Sequence, residues 1–189
     1  LCEKRGLKVE FFVEREPLGT AGNFASAREF LSGGDFFVVY GDVAVEMDLT
    51  RLMDFHRRNN AVGTIVCHPN DHPHESDLLV LDGAKVKEIV YKKSKTKQFY
   101  RNFVPAAVYA LSSKAFDFIE PAVKQDFIKD VFPKMLAANA SLYAYNTTEY
   151  LKDMGTVERY QMVEDDLKSG RLARYNFSVK KPCVFFDRD

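Results

Sequence analysis

The run Asp35-Phe36-Phe37-Val38-Val39-Tyr40 ends abruptly at Gly41-Asp42. A stretch of adjacent apolar and aromatic residues without polar alternation has no side to turn toward water. That is the signature of a central strand in a parallel sheet, buried on both faces by covering layers. The segments around it alternate in type. Strands are expected at Lys8–Val13, Ala61–Cys67, Phe103–Leu111, Ser141–Tyr145 and Cys183–Phe186, and helices at Thr20–Leu31, Asp48–Asn59, Ser113–Ile119, Phe127–Ala138 and Thr156–Ser169. Leu49, Leu52, Met53 and Phe55 fall on one helical face, with Asp48 placed to cap it. Leu78–Leu81 and Val86–Val90 flank Asp82-Gly83-Ala84, a hairpin signal. The alternation predicts an α/β fold: an open, mostly parallel, Rossmann-like sheet with a β-hairpin insertion.

Charge narrows the range of partners. Lys plus Arg and Asp plus Glu each number 27 in 189 residues, so the chain lacks the basic excess of a nucleic-acid-binding protein. No apolar run is long enough to span a membrane. Cys2, Cys67 and Cys183 are odd in number, far apart and in no CxxC pattern, which points to a reducing, cytoplasmic setting rather than a disulfide framework or zinc site. Leu1-Cys2-Glu3-Lys4-Arg5 reads as neither a signal peptide nor a translation start, so an upstream segment is expected.

Four segments carry groups suited to chemistry. Asp42 follows the buried strand directly, where open α/β sheets collect ligands, and Gly41 leaves the backbone approachable. The pair is equally compatible with a plain turn. Asp153 lies between a strand and a helix, where it could simply help start that helix. Two strand-end carboxylates would also suit Mg²⁺, a hard ion that takes one or two carboxylates plus substrate phosphates. Leu18-Gly19-Thr20-Ala21-Gly22 is a strand-to-helix turn that either admits a ligand at its backbone or serves packing. Lys92-Lys93 opens a basic loop, either a solvated surface or a phosphate contact. His68, His72 and His74, with Asp71, Glu75 and Asp77, match no standard metal spacing and read as an exposed connection.

Taken in order, these segments resemble the sugar-1-phosphate nucleotidyltransferases over roughly residues 1–172. Glu16-Pro17-Leu18-Gly19-Thr20-Ala21-Gly22 is similar to that family's turn beside the nucleotide. Val39-Tyr40-Gly41-Asp42 is similar to its metal-binding strand end, and Glu88-Ile89-Val90-Tyr91-Lys92 to its sugar-phosphate lysine element. Asp153-Met154-Gly155-Thr156-Val157-Glu158-Arg159-Tyr160 resembles the element with the second metal carboxylate. Within the family the resemblance is to guanylyltransferases acting on mannose-type or heptose 1-phosphates, the heptose branch being suggested by His72–Asp77 and Phe127–Pro133. The tail Lys181–Asp189 resembles the opening strand of a haloacid-dehalogenase-type phosphatase, with Asp187 as its nucleophile and Asp189 as its acid/base, and bifunctional proteins join these two activities. The implied layout is a nucleotidyltransferase domain over 1–172 lacking its N-terminal Gly-rich loop, a linker at 173–181, and the first strand of a truncated phosphatase domain at 182–189.

The resemblance implies attack by a sugar 1-phosphate on the α-phosphorus of a nucleoside triphosphate, expected to be GTP, with release of pyrophosphate. It assigns Mg²⁺ to Asp42 and Asp153, the sugar phosphate to Lys92, and the nucleotide to Gly19, Thr20, Tyr40 and Gly41. The 189-residue chain is expected to bind nucleotide weakly and to be inactive alone, and a homo-oligomer is left open. A rival, a non-catalytic binding or regulatory relative, would be favoured by Tyr91 in place of a glutamate, by Pro105 in place of an amide donor and by the missing Gly-rich loop if the chain begins at Leu1; Lys93 also replaces the family's proline. The tail is expected to be disordered or packed on the first domain.

Overall fold

The computed structural model describes residues 9–94 and 98–172, together with the backbone of 183–186. A broken helical stretch comes first: α1 (Gly19–Gly22), a 3₁₀ turn (Asn23–Ala27) and α2 (Arg28–Leu31). There follow β1 (Phe36–Tyr40), β2 (Val43–Glu46), α3 (Leu49–Arg58), β3 (Gly63–His68), β4 (Leu78–Asp82), β5 (Lys85–Val90) and β6 (Val104–Leu111). A 3₁₀ turn (Ser113–Phe118) and a π-helical turn (Phe127–Val131) lead into α4 (Phe132–Ala137). The remaining elements are β7 (Leu142–Asn146), β8 (Tyr150–Asp153), α5 (Val157–Lys168) and β9 (Cys183–Phe186).

Seven strands form the main sheet in the order β4-β5-β7-β3-β6-β1-β9, while β2 and β8 make a separate ribbon. Only β5 and β6 run against the common direction, so the sheet is mixed within an α/β layer arrangement. β1 is buried along its whole length, as its composition requires. Phe36, Val38 and Tyr40 enter one core and Phe37 and Val39 the other, the period-2 division of a strand covered on both faces. Phe24 fastens the first helical stretch to this layer, its ring 5.5 Å from those of Phe36, Phe116 and Phe127. The hairpin turns at Gly83, which has φ +58°, and joins β7 at Lys85 opposite Tyr143. Its Leu79, Val86 and Ile89 are buried with Ile65, Cys67 and Tyr109. Pro105, which has no N–H to donate, lies opposite Cys67 where the β3–β6 register shifts, so the ladder yields at the residue that cannot complete it.

Two expectations change. Val9–Val13 forms no strand, and Phe11 and Val13 stand 84% and 87% exposed. A β-prone sequence becomes a strand only when another backbone accepts its hydrogen bonds, and none lies alongside among the described residues. The helix expected over Thr20–Leu31 is instead the broken stretch, tightened to a 3₁₀ turn over Asn23–Ala27. Cys183–Phe186 is a strand as expected, and of the two fates foreseen for the tail it takes the second. β9 pairs in parallel with β1, Phe37 opposite Cys183 through Tyr40 opposite Phe186. Asp187, Asp189 and the 173–181 linker lie outside the described residues.

Candidate functional site

Asp42 and Asp153 are 111 positions apart in sequence and meet across the β2–β8 ribbon. β2 begins one residue after Asp42, and its Val43 lies opposite Asp153 in antiparallel register. The Asp42 carbonyl accepts the Met154 N–H at 2.7 Å, closing that end of the ribbon. Val45 and Leu151 pack on the second core, while Asp42 is half-buried and Asp153 exposed. Glu149, which sequence reasoning missed, secures the other end: its carboxylate accepts the Asp48 N–H at 2.8 Å and the Thr147 hydroxyl at 2.7 Å. Asp48 in turn caps α3 through the N–H groups of Thr50 and Arg51, as expected. Arg159, from the first turns of α5, donates to the Asp153 carboxylate, and Thr156 caps that helix through the Arg159 N–H. Asp153 is therefore held by a side chain of the helix while Thr156, not Asp153, caps it.

A site of two carboxylates offers only oxygen donors and leaves most of a cation's positions to phosphate and water. That suits Mg²⁺ and argues against softer metals. Among the described residues no group of three or more His, Cys, Asp or Glu side chains could hold a metal, and the histidine-rich loop conforms to the exposed connection expected of it. There, Pro73–Glu75 forms a 3₁₀ turn and His72 Nδ1 lies 2.6 Å from Asp71 Oδ1.

Gly19 and Thr20 lie against the segment that precedes the π turn. Gly19 has φ +75°, and a Cβ there would meet Gln125 O at 2.5 Å. A Cβ on Gly22 would collide with Val123 O. The absent side chains let Leu18 O accept the Gln125 N–H at 2.9 Å and Ala21 N–H donate to Gln125 O at 3.0 Å. Thr20 is buried; its hydroxyl donates to Asp126 at 2.9 Å and accepts the Phe127 N–H at 3.1 Å. In this structure the turn is a packing joint, and Gly22 itself is helical, with φ −64° and ψ −40°.

Tyr40 is buried and Gly41 exposed at the strand end. The Tyr40 ring meets Tyr109 edge-on at 5.8 Å, and Tyr109 lies 5.4 Å from Phe127. This aromatic line leads to the turn whose Ile128 carbonyl accepts the Tyr91 hydroxyl at 3.2 Å. Tyr91 and Lys92 belong to a cavity of about 670 Å³, completed by Glu75, Asp77, Lys93 and Lys129. The Lys92 N–H donates to Asp77 at 2.8 Å, which fixes the backbone and leaves the ammonium free to reach the cavity. Burial, reinforced by Asp77, Asp130 and Asp126, raises the Tyr91 pKa, so its hydroxyl stays protonated at neutral pH. A second cavity of about 350 Å³ lies on the outer side of α3 among Arg51, Asp54, Arg57, Arg58 and Tyr145.

The Nucleotidyl transferase family profile matches residues 2–170. The mannose-1-phosphate guanyltransferase of Yarrowia lipolytica is 35% identical over 157 residues, covering 81% of this chain and 42% of that protein. A probable mannose-1-phosphate guanylyltransferase 3 of Arabidopsis thaliana is 35% identical over 163 residues, covering 84% of this chain and 48% of that protein. The chain thus spans less than half the length of these relatives. HddC from Yersinia pseudotuberculosis superposes with a TM-score of 0.68 at 25% identity, covering 85% of this chain and 68% of that one. Its complex with GMP-PN gives 0.66, with 85% and 67% covered. A Bacillus anthracis structure assigned as a glucose-1-phosphate thymidylyltransferase reaches 0.73 at 15% identity over 93% of this chain and 70% of that one, which supports the α/β fold alone. By the extent of the profile match, and with a fold to suit, this chain belongs to the nucleotidyl transferase family.

Proposed function

We propose that the chain is the metal- and sugar-binding part of a cytoplasmic sugar-1-phosphate guanylyltransferase that moves GMP from GTP to a mannose- or heptose-type sugar 1-phosphate, in nucleotide-sugar and surface polysaccharide synthesis. The observation that carries this reading is the β2–β8 ribbon, which brings the backbones of Asp42 and Asp153 together at one end. The mannose-1-phosphate guanylyltransferase relatives and the GMP-PN complex of HddC support guanine.

In the proposed reaction a phosphate oxygen of the sugar 1-phosphate forms a bond to the α-phosphorus of GTP. The bond from that phosphorus to the bridging β-phosphate oxygen breaks, and pyrophosphate leaves with the electron pair. The chain has no covalent step to perform; it orients the reactants and balances charge. Asp42 and Asp153 would hold Mg²⁺, which when bound neutralises charge on the phosphates. Lys92 supplies an ammonium to the sugar phosphate from the cavity mouth. Tyr40 and Gly41 border the nucleotide at the strand end. Gly19 and Thr20 shape the turn beside it, a role here expressed through packing on residues 123–127.

The test is pyrophosphate release by the gene product that carries this chain, with each nucleoside triphosphate paired with mannose 1-phosphate or a heptose 1-phosphate. GTP-dependent release lost in Asp42→Asn supports the proposal. Binding of both substrates without release would establish the non-catalytic relative instead. The phosphatase reading of Asp187 and Asp189 is a separate proposal, tested by asking whether Asp187→Asn abolishes hydrolysis of a heptose bisphosphate.

A further inference from the structure

Lys129 lines the cavity that contains Lys92 and Lys93, yet it comes from a different part of the fold. It sits in the π-helical turn Phe127–Val131, a widened form of helix that seldom persists without a local reason. The turn is held at both edges. The Asp126 carboxylate accepts the N–H groups of Ile128 and Lys129 at 2.9 and 3.1 Å, and Asp130 accepts the Asp126 N–H at 2.7 Å. Tyr91, the residue before Lys92, donates its hydroxyl to Ile128 O at 3.2 Å. The backbones that present Lys92 and Lys129 are thereby tied together, while both ammoniums stay on flexible stems.

Elsewhere on the surface three lysines meet carboxylates, Lys87 with Asp82, Lys134 with Glu120 and Lys168 with Glu164, while others such as Lys114 and Lys124 stand singly among the described residues rather than around a shared cavity. Among the described residues no carboxylate lies within ion-pair distance of the ammonium of Lys92, Lys93 or Lys129, although Glu75 and Asp77 line the same cavity. Unpaired cations that converge on a cavity are suited to a multiply charged anion. A phosphate monoester near neutral pH carries about −1.5 to −2 charges, more than one ammonium offsets.

We propose that Lys129 is a second phosphate-holding residue of the sugar 1-phosphate pocket, gripping the phosphate together with Lys92. This rests on the preceding assignment of the cavity to the sugar 1-phosphate. Lys129 adds what a lone lysine on a loop lacks, a second point of attachment that fixes the direction of the phosphate as well as its charge.

The test is calorimetric titration of mannose 1-phosphate and of free mannose into the 189-residue chain and its Lys92→Ala, Lys129→Met and Lys129→Arg variants, with thermal melts in parallel. Lys129→Met keeps the aliphatic stem and should weaken mannose 1-phosphate roughly tenfold or more, the scale of a lost hydrogen bond to a charged group. Lys129→Arg should recover most of that loss, and free mannose should bind each variant alike. If Lys129→Met binds like the unaltered chain while Lys92→Ala does not, the inference about Lys129 is wrong and the pocket stands. If the unaltered chain does not prefer mannose 1-phosphate over mannose, the pocket assignment falls and the inference with it.

Discussion

The Asp42 carbonyl accepts the Met154 N–H at 2.7 Å, so the residue after Asp153 is bonded to the strand end that presents Asp42. The backbones of the two residues are thus coupled at one end of the ribbon. If the proposed reading holds, Asp42→Asn and Asp153→Asn should each lower guanylyl transfer by the gene product that carries this chain roughly 10²-fold or more, the scale for removing one electrostatic stabiliser from a reacting centre. Circular dichroism and melting temperature should barely change. Arg159→Ala should also cost little stability, because its pair with Asp153 is exposed, and by freeing that carboxylate from a competing cation it should strengthen rather than weaken Mn²⁺ binding, used as a paramagnetic probe for Mg²⁺.

Gly19 and Gly22 face the backbone of residues 123–125 with no room for a methyl group. Gly19→Ala adds a positive-φ penalty to the collision, and the pair of effects should cost about 3 kcal/mol or more in urea unfolding. Gly33→Ala, where a Cβ meets nothing within 4 Å, should be nearly neutral and serves as the control.

His56 is a buried titratable group without a catalytic role. Its Nδ1 lies 2.9 Å from the Thr64 hydroxyl, while Nε2 is unpartnered and 3.9 Å from Asp35. Burial lowers its pKa below 6.5, outweighing the raising effect of Asp35, and Arg57 lowers it further. Below pH 6.5 the unfolded chain therefore takes up a proton that the folded chain resists. Stability should fall as pH drops through 6.5 toward the depressed folded value, and level off below it. Chemical denaturation from pH 8 to 5 should show this slope, and His56→Asn should flatten it.

Burial raises the Cys67 thiol to about 12, so almost no thiolate exists at neutral pH. Iodoacetamide should leave Cys67 unmodified in the folded protein and alkylate it only in denaturant, as read by peptide mass mapping.

Much of this architecture was legible in local pattern. The continuous apolar run of β1, the Asp48 cap of α3 and the Gly83 hairpin all formed as expected, because each is determined by neighbours in sequence. Features decided by remote partners were not. Val9–Val13 has strand composition but no ladder, and the helix expected over Thr20–Leu31 tightens to a 3₁₀ turn over Asn23–Ala27. The β2–β8 ribbon is too short for its alternation to be told from chance, yet it is what brings Asp42 and Asp153 together. Lys129 was hidden for a similar reason: a lysine in an apolar helical run reads as solvent-facing until the cavity beside it is known.

The parallel pairing of β9 with β1 joins backbones about 150 residues apart, among the most sequence-distant contacts of the sheet. Contacts of such separation form late in folding, because a long loop must close first. On the ribosome, Phe36–Tyr40 would be made and collapsed against β6 well before Cys183–Phe186 could reach it. For the 189-residue chain expressed by itself, that interval would leave the β1 edge that β9 covers in this structure without its pairing strand. Recovery on expression should thus fall when Cys183–Phe186 is deleted, even if the ribbon carrying Asp42 and Asp153 forms without it.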